Sequence, residues 1–223
     1  MPTSPRPAMP ERTSASPLRR AATGLVAVAV TIALIRALVL QSFVVPTGSM
    51  EPTVQIGDRV LVSRFSYLTS DVQRGDVIVF NGAGVFDPLD DGPDTLLAGL
   101  GRALATVFSM PVGSRDYVKR VIGVSGDRVV CCDAEGRLTV NGTPVDEPYL
   151  AEGNAPSDVK FDIEVPEGRL WVMGDHRSES ADSRAYLGAP GGGTVPVDHV
   201  VGKVMGIYWP MSRVGGLDNG GGR

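Results

Sequence analysis

Hydrophobic residues in this chain fall into two patterns. The first is one continuous run: residues 21–45 read AATGLVAVAVTIALIRALVLQSFVV, with Arg36 as the single charge. About twenty helical residues cross a hydrocarbon core of ~30 Å, so the run predicts a transmembrane anchor over 21–43. Arg36 sits far enough along it to snorkel toward one interface. Arg6, Arg12, Arg19 and Arg20 precede the run. They predict a cytoplasmic basic arm over 1–20 and a main body on the far side of the membrane. A cleaved signal peptide would have a shorter apolar core and a small-x-small exit, which LVLQSFVVPTG lacks. A buried core helix is the other reading, and the arginines in front and Pro46 behind oppose it.

The second pattern is a series of short apolar runs, many alternating with polar residues. They are DRVLVSRF (58–65), GDVIVF (75–80), DYVKRVIGV (116–124), DRVVCC (127–132), GRLTVNG (136–142), VKFDIEV (159–165), GRLWVMG (168–174) and HVVGKVMGIYW (199–209). Gly-Asp, Asn-Gly and Pro-Glu-Gly punctuate them. Many short strands at this spacing predict a mainly β, antiparallel domain over 44–213. Residues 81–115 break the pattern with an acidic loop, FDPLDDGPD, followed by TLLAGLGRALATVF. Leu96, Leu97, Leu100, Leu104, Val107 and Phe108 share one helical face there, with Asp94 as a cap. Such a helix would cover the sheet or rest on a bilayer. The glycine-rich end, 214–223, reads as a flexible tail.

Composition narrows the function. The chain has 223 residues and a formal charge of −4. The first twenty residues carry four arginines against Glu11, and Arg36 follows, so everything after the apolar run holds about −8. An acidic body argues against nucleic acid as a partner. Cys131 and Cys132 are adjacent, without CxxC spacing, and the chain has two histidines, so a zinc site is not expected. Two buried, unpaired thiols are the plain expectation for that pair.

Candidate nucleophiles are then weighed. No G-x-S-x-G elbow occurs, which excludes an α/β-hydrolase. SDVK at 157–160 matches S-x-x-K without the accompanying K-T-G or S-D-N. RGD at 74–76 is most simply a turn leading into a strand. A serine can also be activated by a neutral lysine, which requires burial of the amine. The chain has three lysines. Lys160 lies between Asp158 and Asp162 in a polar stretch, and Lys203 follows Gly202; both are expected to be solvated. Lys119 sits among Val118, Val121 and Ile122, with Tyr117 and Val121 on its own face.

VVPTGSMEPTVQIGDRVLV, RGDVIVF, DYVKRVIGVSGD and GDHRSESADSR follow the apolar run in this order. Together they resemble the bacterial type I signal peptidases, membrane-anchored Ser-Lys proteases that remove signal peptides from exported proteins. The resemblance covers roughly residues 20 to 210 and implies a β-rich catalytic domain behind one N-terminal transmembrane helix. It implies Ser49 as nucleophile and Lys119 as general base. It implies Ser180 as the hydroxyl that orients the lysine, Asp182 and Arg184 as a supporting ion pair, and Asp175 as a further support. Thr47 corresponds to the hydroxyl that joins the Ser49 N–H in an oxyanion hole. Val45, Tyr117 and Val118 fall where the family lines its substrate cleft. Position 176 is His where the family often has Asn, which leaves a Ser-His pairing to be examined. Thr47 replaces a commoner serine and keeps the hydroxyl.

The implied substrates are signal-peptide-bearing preproteins cut after small residues, with the lipid bilayer as the second partner and no metal or cofactor. If the span ends near Phe43, six extended residues at ~3.3 Å each put Ser49 within roughly 20 Å of the membrane. Two other readings remain open: a self-cleaving repressor-type Ser-Lys protease, and a membrane-tethered β-domain that binds a partner without catalysis.

Overall fold

The computed structural model describes residues 17–38, 40–87 and 115–217. It divides into two compact units, 1–35 and 36–223.

Most of helix α1, Pro17–Leu38, belongs to the first unit. Its side chains at Leu25, Val26, Val28, Val30 and Ile32 are exposed. Among the described residues, no helix is long and apolar enough to cross a membrane.

The second unit is built from antiparallel strands. β1 (Leu40–Val44) pairs in register with β2 (Arg59–Ser63). The apolar run that reads as one segment through Phe43 therefore divides. Helix ends at Leu38, and LQSFV becomes an edge strand because Phe43 inserts into the core beside Val60 and Val62. After a short helix α2 (Ser66–Thr69) come β3 (Val77–Asn81), β4 (Asp116–Gly123), β5 (Arg128–Cys131), β6 (Leu138–Val140), β7 (Thr143–Pro144), β8 (Phe161–Glu164) and β9 (Arg169–Met173). β10 (Val195–Pro196), β11 (Val200–Trp209) and β12 (Gly215–Gly216) close the described chain. All eight runs read as strands from the sequence are strands. The glycines read as the start of a free tail instead form β12 against Gly206 and Ile207 of β11. The helix expected over 95–108 lies outside the described residues.

The larger sheet runs β1-β2-β11-β3-β4-β9-β10, with β12 beside β11; the smaller runs β7-β6-β5-β8. β3 explains why VIVF is apolar without interruption. Val77 and Val79 pack with Val60, Val62, Val118 and Val204 on one face, while Ile78 and Phe80 pack with Val121, Leu170 and Val172 on the other. A central strand buried on both faces has no position left for a polar residue. A third cluster joins the two sheets: Ile122 of β4 and Trp171 and Met173 of β9 meet Val129, Cys131, Leu138 and Phe161 of the smaller sheet.

The cysteines differ from expectation. Cys131 and Cys132 form a disulfide between neighbours, and both pack against this third cluster.

Close strand packing makes one glycine indispensable. A Cβ on Gly202 would stand 2.5 Å from the backbone carbonyl oxygen of Ser63 in β2, which cannot swing aside. Overpacking of this kind costs about 1–3 kcal/mol. Gly202→Ala should therefore lower the melting temperature by several degrees in a thermal scan. Gly188→Ala, where a Cβ meets no atom within 4 Å, should leave it nearly unchanged.

Candidate active site

Ser49 lies in the connection between β1 and β2. That loop is closed at its base by reciprocal backbone bonds, Val45 N–H to Asp58 O at 2.9 Å and Gly57 N–H to Val45 O at 2.8 Å. Met50 and Val54, buried in the core, pin the segment just after the serine. Gly48 gives the turn its room, since a Cβ there would meet the Glu51 carboxylate at 3.3 Å.

Lys119 stands in the middle of β4, opposite Ile78 of β3. It is 3% exposed and Ser49 is 8% exposed. The Lys119 Nζ donates to Ser49 Oγ across 2.6 Å, although seventy residues separate them in the chain. Burial pushes the amine down from its ordinary value of 10.5 to about 8. Asp182 and Asp175 oppose that shift and Arg184 adds to it, but desolvation dominates. At neutral pH the free-base fraction is thus about 300-fold larger than for a solvated lysine. Of the other two lysines, Lys160 is exposed as expected, and Lys203 is half-buried and ion-paired with Asp76 at 2.5 Å.

The two aspartates of the last motif are held in buried ion pairs. Arg184 grips Asp182 with two bonds of 2.8 Å. Asp175 is held by Arg120, with Nε to Oδ1 at 2.8 Å and Nη2 to Oδ2 at 2.7 Å, and Thr53 donates to it at 2.5 Å. Arg120 also stacks 3.9 Å over the Tyr149 ring. Arg120 is the partner that sequence reasoning missed. It lies within the same Y-V-K-R block as Lys119, but nothing local marks its mate 55 residues away. Arg177 of the last motif bonds Glu147, a partner from outside the motif that the sequence did not mark.

These pairs converge on Gly174. Its N–H donates to Asp182 Oδ2 at 3.0 Å and its carbonyl accepts from Arg177 Nε at 2.9 Å. A Cβ at this position would lie 2.4 Å from the Ser49 carbonyl oxygen and 2.3 Å from Ser180 Oγ. The bare glycine is what allows the motif to close on the serine. His176 N–H then donates to the Ser49 carbonyl at 3.2 Å. The His176 ring itself makes no hydrogen bond, so a Ser-His pairing has no contact behind it. Ser180 comes to the site, but its buried Oγ has no hydrogen-bond partner; the bond to Lys119 that the resemblance implies is absent.

A cleft of about 390 Å³ opens beside the pair. Val45, Thr47, Tyr117 and Val118 line it with Ser49 and Lys119. Met50, Asp116, Glu179 and Ala181 line it as well. Asp175, Asp182 and Arg184 stand behind the site. An isolated serine hydroxyl is inert; one bonded to a buried, easily neutralised amine in an open apolar cleft is arranged for acyl transfer.

Comparison with known proteins points the same way. The family model described as signal peptidase, peptidase S26, matches residues 18–209. A protein described as a probable signal peptidase I from Mycobacterium leprae is 39% identical over 208 residues, covering 80% of this chain and 72% of that protein. The signal peptidase I of Mycobacterium tuberculosis is 37% identical over 233 residues, covering 95% and 77%. That of Bacillus caldolyticus is 32% identical over 194 residues, covering 82% and 86%. A crystal structure of a signal peptidase I from Enterococcus faecalis is 24% identical, covers 60% of this chain and 97% of its own, and has a TM-score of 0.38. The chain belongs to the S26 family of signal peptidases.

Proposed function

We propose that the chain is a membrane-bound serine endopeptidase that removes signal peptides from exported preproteins, with Ser49 and Lys119 as its catalytic dyad. The observation that carries the dyad is the 2.6 Å bond between two buried side chains, one of them an amine with a depressed pKa.

The chemistry runs as acyl transfer. Neutral Lys119 takes the Ser49 proton as Oγ attacks the scissile carbonyl. The oxyanion that develops is met by the Ser49 N–H and the Thr47 hydroxyl. Protonated Lys119 hands its proton to the leaving amine, and an ester to Ser49 remains. Lys119 then deprotonates the water that hydrolyses it. Val45, Met50 and Val118 give the cleft an apolar lining suited to a small side chain before the cut. The Asp182–Arg184 and Asp175–Arg120 pairs keep Gly174, and through it Ser49, in place.

The membrane is the proposed second partner, with the amino terminus cytoplasmic and the β-rich unit outside. The apolar sequence of α1, with arginines before it, supports an anchor. The β-rich unit carries its own apolar surface: Met205, Tyr208 and Trp209 on β11, Phe65 and Leu68 at α2, and Met211 and Val214 beyond β11 are all exposed. Such an array suits a domain resting against lipid. A disulfide at Cys131–Cys132 fits an oxidising compartment.

In detergent, the protein should cleave a preprotein bearing an Ala-x-Ala site. Ser49→Ala and Lys119→Ala should each reduce kcat/KM by at least ~10³-fold, while His176→Ala stays within several-fold. Full cleavage by Lys119→Ala would refute the dyad. The pH profile of kcat/KM should rise as pH passes about 8, where Lys119 loses its proton. Stability should carry the same signature. The folded pKa lies below the unfolded one, so burial of the charged amine costs roughly 3 kcal/mol below pH 8, and that cost fades as pH rises toward 10.5. Lys119→Met should melt several degrees above wild type at neutral pH, with the gap narrowing in alkaline buffer.

A further inference from the structure

We infer that Glu179 makes the cleft charge-selective, so that the enzyme favours substrates carrying a lysine or arginine near the scissile bond. The inference rests on the reading of this cleft as the substrate site.

Among the described residues that line the cleft, the charged groups other than Glu179 have partners. Ser49 and Lys119 are bonded to each other. Asp116 is engaged by another group. Glu179, by contrast, is exposed, and its carboxylate makes no hydrogen bond or ion pair among the described residues. The cations nearest in sequence cannot answer it. Arg177 is bound to Glu147 and the Gly174 carbonyl, and Arg184 to Asp182 and the Arg177 carbonyl. Among the described residues Lys119 is the only basic one lining the cleft, and its amine is committed to Ser49.

The backbone that carries the carboxylate is held in place beside the cleft. Glu179 ends a short 3-10 helix, Arg177–Glu179. Arg177 is buried at its start, Ser178 N–H donates to Asn154 Oδ1 at 2.8 Å, and Glu179 N–H donates to the His176 carbonyl at 3.0 Å. An uncompensated negative charge on an anchored backbone beside a bound extended peptide attracts a cationic side chain and repels an anionic one. An extended substrate presents alternate side chains to opposite sides. The preference should therefore fall on one position, or on two positions two apart, and not on neighbours.

The test is a set of preprotein substrates that keep the Ala-x-Ala site and carry Lys, Gln or Glu at one position at a time, from several residues before the cut to a few after it. kcat/KM is measured at low and high salt. At the position facing Glu179, Lys should exceed Gln, and Gln exceed Glu, by about 3–10-fold per step, and the steps should shrink in high salt. Glu179→Gln should flatten the series and Glu179→Lys should invert it. Glu51→Gln, which removes the free carboxylate beside Gly48, should preserve it. Each ratio is taken within one protein, so a loss of folded enzyme cancels. Uniform cleavage of all members, or a charge preference that survives Glu179→Gln, would overturn the inference while leaving the peptidase intact. A wild type that cuts none of the substrates would overturn the peptidase reading itself.

Discussion

The molecule is organised around an ammonium group that is not permitted its water. An ammonium taken out of solvent is expensive, and the usual remedies are a carboxylate partner or loss of the proton. Two carboxylates, Asp175 and Asp182, lie close enough to act on Lys119, and both raise its pKa. Each is already gripped by an arginine of its own, Arg120 or Arg184. The arginines therefore do more than brace the loop. They spend the negative charge that would otherwise make a stable ion pair of the lysine and leave it permanently protonated. What remains is a hydroxyl 2.6 Å away.

The same constraint accounts for the sheet. β4, which carries Lys119, is an inner strand between β3 and β9, and its residues from Val118 to Gly123 are buried on both faces. The nucleophile cannot come from the same strand, so it comes from the β1–β2 loop, anchored by Met50 and Val54 on one side and by Gly174 on the other.

Much of this was legible in the sequence. The eight strands showed themselves as short apolar runs cut by Gly and Asp. Ser49, Lys119 and the Asp182–Arg184 pair came through ordered motifs. What escaped had a physical reason in each case. β1 is fused to a longer apolar run with no turn residue between them. β12 is two glycines, without side chains to pattern. The Arg120–Asp175 and Arg177–Glu147 pairs join residues 55 and 30 positions apart, a separation no local period encodes. Ser180 arrived where its motif placed it, but its hydroxyl turned out to bond nothing. Glu179 sat unremarked inside a motif position that accepts any residue.

The disulfide between Cys131 and Cys132 has a consequence of another kind. A crosslink ordinarily restrains the unfolded chain in proportion to the loop it closes. One between neighbours closes no loop, so that entropic effect is nearly nil. Its action is on direction. Successive side chains of a strand point to opposite faces, yet both cysteines here pack on the cluster that joins the two sheets. The bond suspends the alternation for one step at the end of β5. It turns a side chain that would have faced away into a second contact with the core.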